Sequence, residues 1–230
     1  MKFNVIDREE LYSCSEINPS IEIVEHRPTQ YFRYYTIDNF LKTPEKFIEK
    51  LQQFPALTGL TYGARQQFTP IELRNLILAY CEVGNAIGLE LNPRNWITSS
   101  NIMWDKMETK NEDWKPHNDY DVVAMLWLTN TEGGTSFYNF HDCPCFKKLE
   151  NQQLMKLREE NLSRSGCAPW KTFDGDDDWK LYHVAETKFN QVIIYNGDYF
   201  HSPYPKFDDS YRYNLVSFYQ NFENDPTLRV

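Results

Sequence analysis

From residue 97 to residue 222 the chain is a succession of short β-branched and aromatic runs: Ile97 to Met107, Val122 to Leu128, Ser136 to Phe140, Val192 to Tyr195 and Tyr211 to Phe222. Turn-forming residues separate them. This spacing predicts the strands of an antiparallel sandwich or barrel. The exception is Lys148 to Arg164, charged with Leu and Met interspersed, which reads as an inserted helix. An acidic loop, Asp174-Gly175-Asp176-Asp177-Asp178, follows it.

The first 96 residues have a different texture. Ile21 to Val24 and Tyr31 to Ile37 read as strands, the second leading into Asp38-Asn39-Phe40-Leu41. Thr43-Pro44-Glu45 opens a helix, since Thr caps well and Pro suits the first helical position. Phe47, Ile48, Leu51 and Phe54 then share one face, and Pro55 ends the pattern. A second helix is predicted from Thr69-Pro70-Ile71-Glu72 to about Ile87, with Leu73, Leu76, Leu78, Ala79 and Val83 apolar and Gly88 as its stop. Helices first and strands later point to an α+β protein. Its 230 residues suit a single domain, 1–230, with a leader at 1–96 carrying two packing helices and a core at 97–222.

Composition narrows the class of function. Aromatic residues make up 16% of the chain, which marks it as globular. The net charge of −9 argues against a protein that grips phosphate backbones. Five cysteines at irregular spacing point to a reducing compartment rather than a disulfide framework. The N-terminal stretch MKFNVIDREE lacks the apolar region of a signal peptide. The longest apolar run, Val122 to Leu128, is far short of a membrane span. The expectation is a soluble, cytoplasmic protein with no membrane partner.

The candidate chemistry lies in the strand-rich half. His117-Asn118-Asp119 sets an imidazole and a carboxylate two residues apart, on one side of an extended segment, where both can meet one metal ion. His201, after the strand Val192 to Tyr195 and the turn Asn196-Gly197-Asp198, is the best third ligand. Two histidines and one carboxylate leave three open coordination positions, as in non-haem Fe(II) oxygenases. Arg212 falls on a strand face with Asn214, Val216 and Phe218. A buried cation there needs an anionic partner, and a guanidinium fork suits a carboxylate.

These residues, in this order, resemble the iron(II)/2-oxoglutarate-dependent dioxygenases, in particular the prolyl-4-hydroxylase-like branch. The resemblance rests on His117-Asn118-Asp119, the apolar run Val122 to Leu128, the turn Gly133-Gly134-Thr135 with Ser136-Phe137-Tyr138, His201-Ser202-Pro203, and Arg212. It covers about residues 97–220, and Asp38-Asn39-Phe40-Leu41 is similar to the family's leader. It implies a double-stranded β-helix (jelly roll, cupin-like) with an N-terminal helical layer. It further implies Fe(II) held by His117, Asp119 and His201, and 2-oxoglutarate as co-substrate bound by Arg212, with Asn214 and Thr135 beside it. Dioxygen would be consumed, succinate and carbon dioxide formed, and a substrate C–H bond hydroxylated. The carboxylate of Asp119 favours hydroxylation over halogenation. Asn214 stands where the family often has Ser, and an insertion at about 141–188 separates the glycine turn from His201. The substrate class left by these residues is a small molecule or a peptide.

Competing readings remain for several of these residues. Asp121 is the alternative carboxylate, at a longer reach from His117, and His183 is the alternative to His201, but has Ile194 rather than a cation 11 positions on. Arg212 reads alternatively as a structural ion pair. His141-Asp142-Cys143-Pro144-Cys145, with Cys167 or His183, invites a zinc site, though its cysteines are more tightly spaced than zinc ligands usually are. The acidic loop is a solvated loop or a Ca²⁺ site. Trp104, Tyr120, Trp127 and Tyr138 are core residues or pocket walls. A non-catalytic jelly-roll module that binds a ligand or peptide, and a zinc hydrolase, are the rival functions.

Overall fold

The structure is a computed structural model that describes residues 11, 13–58, 64–68, 72–104, 116–119, 121–130, 132–156, 174–205 and 211–220. In chain order its elements are β1 (Ile23–His26), β2 (Tyr34–Ile37), α1 (Pro44–Leu51), β3 (Leu57–Thr58), β4 (Ala64–Phe68), α2 (Arg74–Ala86) and β5 (Trp96–Trp104). They continue as β6 (Val122–Trp127), β7 (Gly133–Phe140), β8 (Trp179–Glu186), β9 (Val192–Asn196), β10 (His201–Pro205) and β11 (Tyr211–Tyr219).

The strands form two sheets, one in the order β1-β2-β9-β6-β11-β5-β4-β3 and one in the order β10-β7-β8, and every pairing is antiparallel. The two sheets face each other as a jelly roll, with helices layered on the outer face of the larger one. Three clusters of buried side chains fill the resulting layers. Ala124, Leu126, Ile194, Tyr213 and Leu215 meet Phe47, Leu51, Leu76, Tyr80 and Val83 of the helices. Val123, Trp127, Tyr195 and Val216 meet Phe137 and Ala185 between the sheets. Tyr138, Phe140, Trp179 and Phe200 pack with Cys143 and Leu149 in a third cluster. β6 is therefore buried on both faces, which is why it reads as an unbroken apolar run rather than an alternating one.

Gln66 fixes the helical layer to the sheet. Its Nε2 donates to the Leu51 carbonyl at 2.7 Å and the Phe54 carbonyl at 2.9 Å, at and just beyond the end of α1. Its Oε1 accepts from Ser100 Oγ and Tyr213 Oη. Gln66→Leu removes four side-chain hydrogen bonds, most of them buried, so a loss of about 3 kcal/mol is expected in urea unfolding. A change of less than ~1 kcal/mol would show that the amide does not anchor α1. Asn190 ties down the leader in a similar way, exchanging two side-chain hydrogen bonds with the backbone of Leu41.

Several boundaries differ from those expected. α1 ends at Leu51 rather than Pro55, and Thr43 makes no side-chain cap. α2 begins at Arg74, and Thr69-Pro70-Ile71 lie outside the described residues. Gly88 (φ 83°) follows the C-terminus of α2 as expected. β7 begins at Gly133, so the glycine pair lies in the strand rather than in a turn. Gly134 is required by proximity, since a Cβ there would sit 2.0 Å from the Ala185 carbonyl oxygen of β8. The segment 141–188 is not wholly an insertion: its last part, β8, is an edge of the smaller sheet. Within it Phe146–Lys148 form a 3-10 turn and residues 151–156 are α-helical, and 157–164 lie outside the described residues. The expected ends at 105–107 and 221–222 also lie outside. No helix among the described residues is long and apolar enough to cross a membrane.

Candidate metal centre and anion pocket

The metal candidates are brought together by backbone hydrogen bonds. His117 N donates to His201 O and His201 N to His117 O, both at 2.9 Å, an antiparallel bridge that sets the two imidazoles side by side with centroids 4.6 Å apart. Asp119 N donates to the Gly197 carbonyl at 2.8 Å, so the turn before His201 also places the carboxylate. His117, Asp119 and His201 offer one ligand atom each, all within 4.8 Å of one another, and they are the one such group among the described residues.

The tautomer of His201 follows from its contacts. Its Nδ1 lies 2.8 Å from the Tyr199 carbonyl, which can only accept, so Nδ1 carries the proton. Nε2 then faces Asp119 Oδ2 at 3.0 Å, with His117 Nε2 3.9 Å from the same oxygen. A neutral imidazole lone pair and a carboxylate oxygen at that distance repel unless a proton or a metal cation lies between them. Burial raises the Asp119 carboxyl, but the His201 hydrogen bond and the charges of His117, His201 and Arg65 outweigh it and hold the group at about 2. The carboxylate is thus ionised and ready to ligate.

A cavity of about 540 Å³ opens from this triad and is also lined by Thr135, Tyr195, Arg212 and Asn214. The alternation expected for β11 holds. Arg212, Asn214, Val216 and Phe218 face the cavity, and Tyr213 and Leu215 face the helices. Arg212 is 2% exposed. Its Nη2 donates to the Gly134 carbonyl at 3.2 Å, and its guanidinium lies 4.2 Å from the centre of the Trp127 ring. Nε and Nη1 are buried without a hydrogen-bond partner among the described residues. Burial lowers this guanidinium to about 9, so it is still charged at neutral pH. Thr135 Oγ1 and Tyr195 Oη are likewise buried without partners and line the same cavity. Burial holds the Tyr195 hydroxyl protonated, and its ring stands edge-on to His201 at 5.0 Å.

The competing candidates fall elsewhere. Asp121 pairs with Lys147 at 3.5 Å. His183 lies among Phe32, Tyr34 and Phe137, with Nε2 3.1 Å from Tyr34 Oη. Cys143 donates to the Cys145 carbonyl, and burial pushes the Cys145 thiol up to about 11; Cys167 lies outside the described residues. Asp176 in the acidic loop accepts from the backbone N–H groups of Asp178 and Trp179 at 2.9 Å, capping the turn into β8. Trp127 covers Arg212, whereas Tyr138 faces away and bonds Ser136 at 2.9 Å. Tyr120 and the Trp104 side chain lie outside the description.

Two cavity residues, Tyr195 and Arg65, carried no signal as site residues in the sequence. Tyr195 reads only as the last apolar residue of a strand. Arg65 lies in Ala-Arg-Gln-Gln-Phe, a strand without apolar alternation.

HygX from Streptomyces hygroscopicus, solved with nickel and 2-oxoglutarate bound, is 12% identical to this chain, covering 95% of this chain and 89% of its own, with a TM-score of 0.47. An oxidoreductase of the 2OG-Fe(II) oxygenase family from Burkholderia pseudomallei is 13% identical, covering 81% and 84%, with a TM-score of 0.46. At such low identity and similarity, no residue role is carried over from either. No curated protein matches the chain. Residues 18–213 match a family described as a family of unknown function (DUF6445), and the chain belongs to that family.

Proposed function

We propose that this protein is an Fe(II)- and 2-oxoglutarate-dependent dioxygenase that hydroxylates a small molecule or a peptide. The observation that carries the reading is the buried Arg212, whose Nε and Nη1 have no partner in a cavity shared with a two-histidine, one-carboxylate cluster. A charge withdrawn from water without a counter-charge is costly, so the pocket is built for an anion.

The residues fit both groups. His117, Asp119 and His201 would hold Fe(II), with His201 offering Nε2 because Tyr199 engages Nδ1. Arg212 would receive the distal carboxylate of 2-oxoglutarate, and Thr135 and Tyr195 would add hydroxyl donors. Trp127 shields the guanidinium from water and so strengthens its hold on an anion. When bound, iron and 2-oxoglutarate supply the oxidative decarboxylation with dioxygen that yields succinate and carbon dioxide and hydroxylates the substrate.

The test is anaerobic. Fe(II) and 2-oxoglutarate together should give a weak visible charge-transfer band, absent in His117→Ala. Absence of both the band and succinate formation would overturn the reading. Activity with zinc that ignores dioxygen would mark a hydrolase, and anion binding without succinate a binding module.

The pH dependence of metal uptake follows from Asp119. Its carboxyl, at about 2, stays ionised across the working range, whereas an imidazole must be unprotonated to ligate. Metal affinity should therefore weaken as the medium is acidified and strengthen towards neutrality. Mn(II) calorimetry should show this slope unchanged in Asp119→Asn, though with weaker binding throughout. A slope that disappears in Asp119→Asn would assign the titration to the carboxylate instead.

A further inference from the structure

The cavity has an apolar part that neither the metal candidates nor the co-substrate anchor accounts for. Along β11 its lining changes from Arg212 and Asn214 to Val216 and Phe218. Met125 stands opposite Val216 on β6 and Ile97 opposite Phe218 on β5, and both line the cavity. The chain does not close over this patch. Ile97 is 47% exposed, and Phe218 and Met125 are partly exposed.

The strand register sets the patch beside the triad. The Tyr195 ring stands 5.0 Å from that of His201, and Tyr195 is opposite Val123. Val123 is opposite Phe218, and Phe218 is opposite Ile97. One row across four neighbouring strands thus runs from the triad to Ile97. Two strand spacings put the Phe218 backbone roughly 10 Å from that of Tyr195. Arg212 lies on the same strand as Phe218 but roughly 20 Å back along it. The patch is therefore level with the metal site and away from the co-substrate anchor. The volume agrees: a cavity of ~150 Å³ holds benzene, and this one, at about 540 Å³, has room for the co-substrate and a ring-sized group together.

We propose that the primary substrate is a small molecule whose neutral hydrocarbon group, a ring or a branched chain, lies over Phe218 and Ile97 beside the metal. This rests on the dioxygenase reading above and narrows its substrate class. Covering Ile97 and Phe218 removes apolar surface from water, a gain in proportion to the area covered. A sugar or a polar peptide group pressed on the same side chains loses its bonds to water and meets no donor or acceptor there. Ser99, opposite Val216, and Gln67, opposite Ser99, border the patch with polar groups that suit a lone polar substituent.

The experiment uses the full chain loaded with Mn(II) and 2-oxoglutarate, and reads binding rather than turnover. Paramagnetic Mn(II) speeds the proton relaxation of a probe bound near it, with the Zn(II)-loaded protein as the diamagnetic reference. The probes are 2-phenylethanol and cyclohexylmethanol, compared with methyl glucoside and N-acetylglycinamide. The two apolar probes should show the enhancement, and the two polar ones should bind at least about tenfold more weakly. Ile97→Thr keeps a β-branched strand residue but removes hydrocarbon, and should weaken the apolar probes by about fourfold, the worth of one buried methylene. Ile97→Leu should retain their affinity. Val24→Thr makes the same kind of change at an exposed residue of β1 outside the cavity lining, and should leave it unaltered. Polar probes that bind as well as apolar ones, apolar probes without enhancement, or an unweakened Ile97→Thr would overturn the assignment. Equal losses in Val24→Thr and Ile97→Thr would also overturn it, by making the binding non-specific. The rise in Tm on adding 2-oxoglutarate to the Mn(II) protein is read first. Its absence in the wild type removes the dioxygenase reading; its presence in the wild type and in the variants confines any failure to the apolar patch.

Discussion

His201→Ala is expected to lower Mn(II) or Fe(II) affinity by a hundredfold to a thousandfold, on the order of 3 kcal/mol or more for the loss of one ligand among three. His201 is 3% exposed, and its ring is fixed by the Tyr199 carbonyl on one nitrogen and Asp119 on the other. Among the described residues no nearby side chain is placed to substitute for it, and His183 sits in the aromatic cluster with Tyr34. His183→Ala is the informative control. It removes an imidazole of the same strand-rich region and should leave metal affinity unchanged while reducing stability by about 1–2 kcal/mol. Calorimetric titration of both variants with Mn(II) separates the outcomes. Equal metal affinity in His201→Ala and the wild type would remove the triad from consideration.

The contrast between these two histidines shows what the sequence can convey. His117 and Asp119 are two apart on an extended segment, so their shared side follows from backbone geometry alone. His201 and Arg212 could be ordered relative to them because the strands between are short and apolar. The sheet bonds that make the arrangement work are non-local. The reciprocal bridge between His117 and His201 joins residues far apart in sequence, and no local pattern announces it. The same limit hid β4. Ala-Arg-Gln-Gln-Phe lacks apolar alternation because Gln66 turns inward to serve the end of α1, while Arg65 and Gln67 turn to the cavity. It hid β8 as well, since Trp179–Glu186 is an edge strand only partly buried and follows an acidic loop. The end of α1 likewise has a non-local partner: Gln66, from another strand, bonds the Leu51 and Phe54 carbonyls, which no local pattern announces.

Arg212→Met is expected to have opposite effects on stability and on co-substrate binding. Among the described residues the buried guanidinium of the free protein bonds Gly134 and has no acidic partner for Nε and Nη1. Met is an unbranched apolar side chain that can fill the space over Trp127 without carrying a charge. Replacing an uncompensated buried ion by an apolar group should stabilise the free fold by about 2 kcal/mol, even after loss of the Gly134 bond. The same change removes the cation that would meet a carboxylate in a water-poor site, a loss of roughly 2–5 kcal/mol in 2-oxoglutarate binding. The wild type should therefore melt below Arg212→Met when free and gain strongly in Tm with Mn(II) and 2-oxoglutarate, whereas the variant should gain only what the metal supplies. A structural role for Arg212 predicts the reverse for the free protein, because breaking a needed ion pair would lower its Tm. The sign of that one shift thus decides whether this cation was kept for stability or, at the expense of stability, for an anion that the fold itself does not contain.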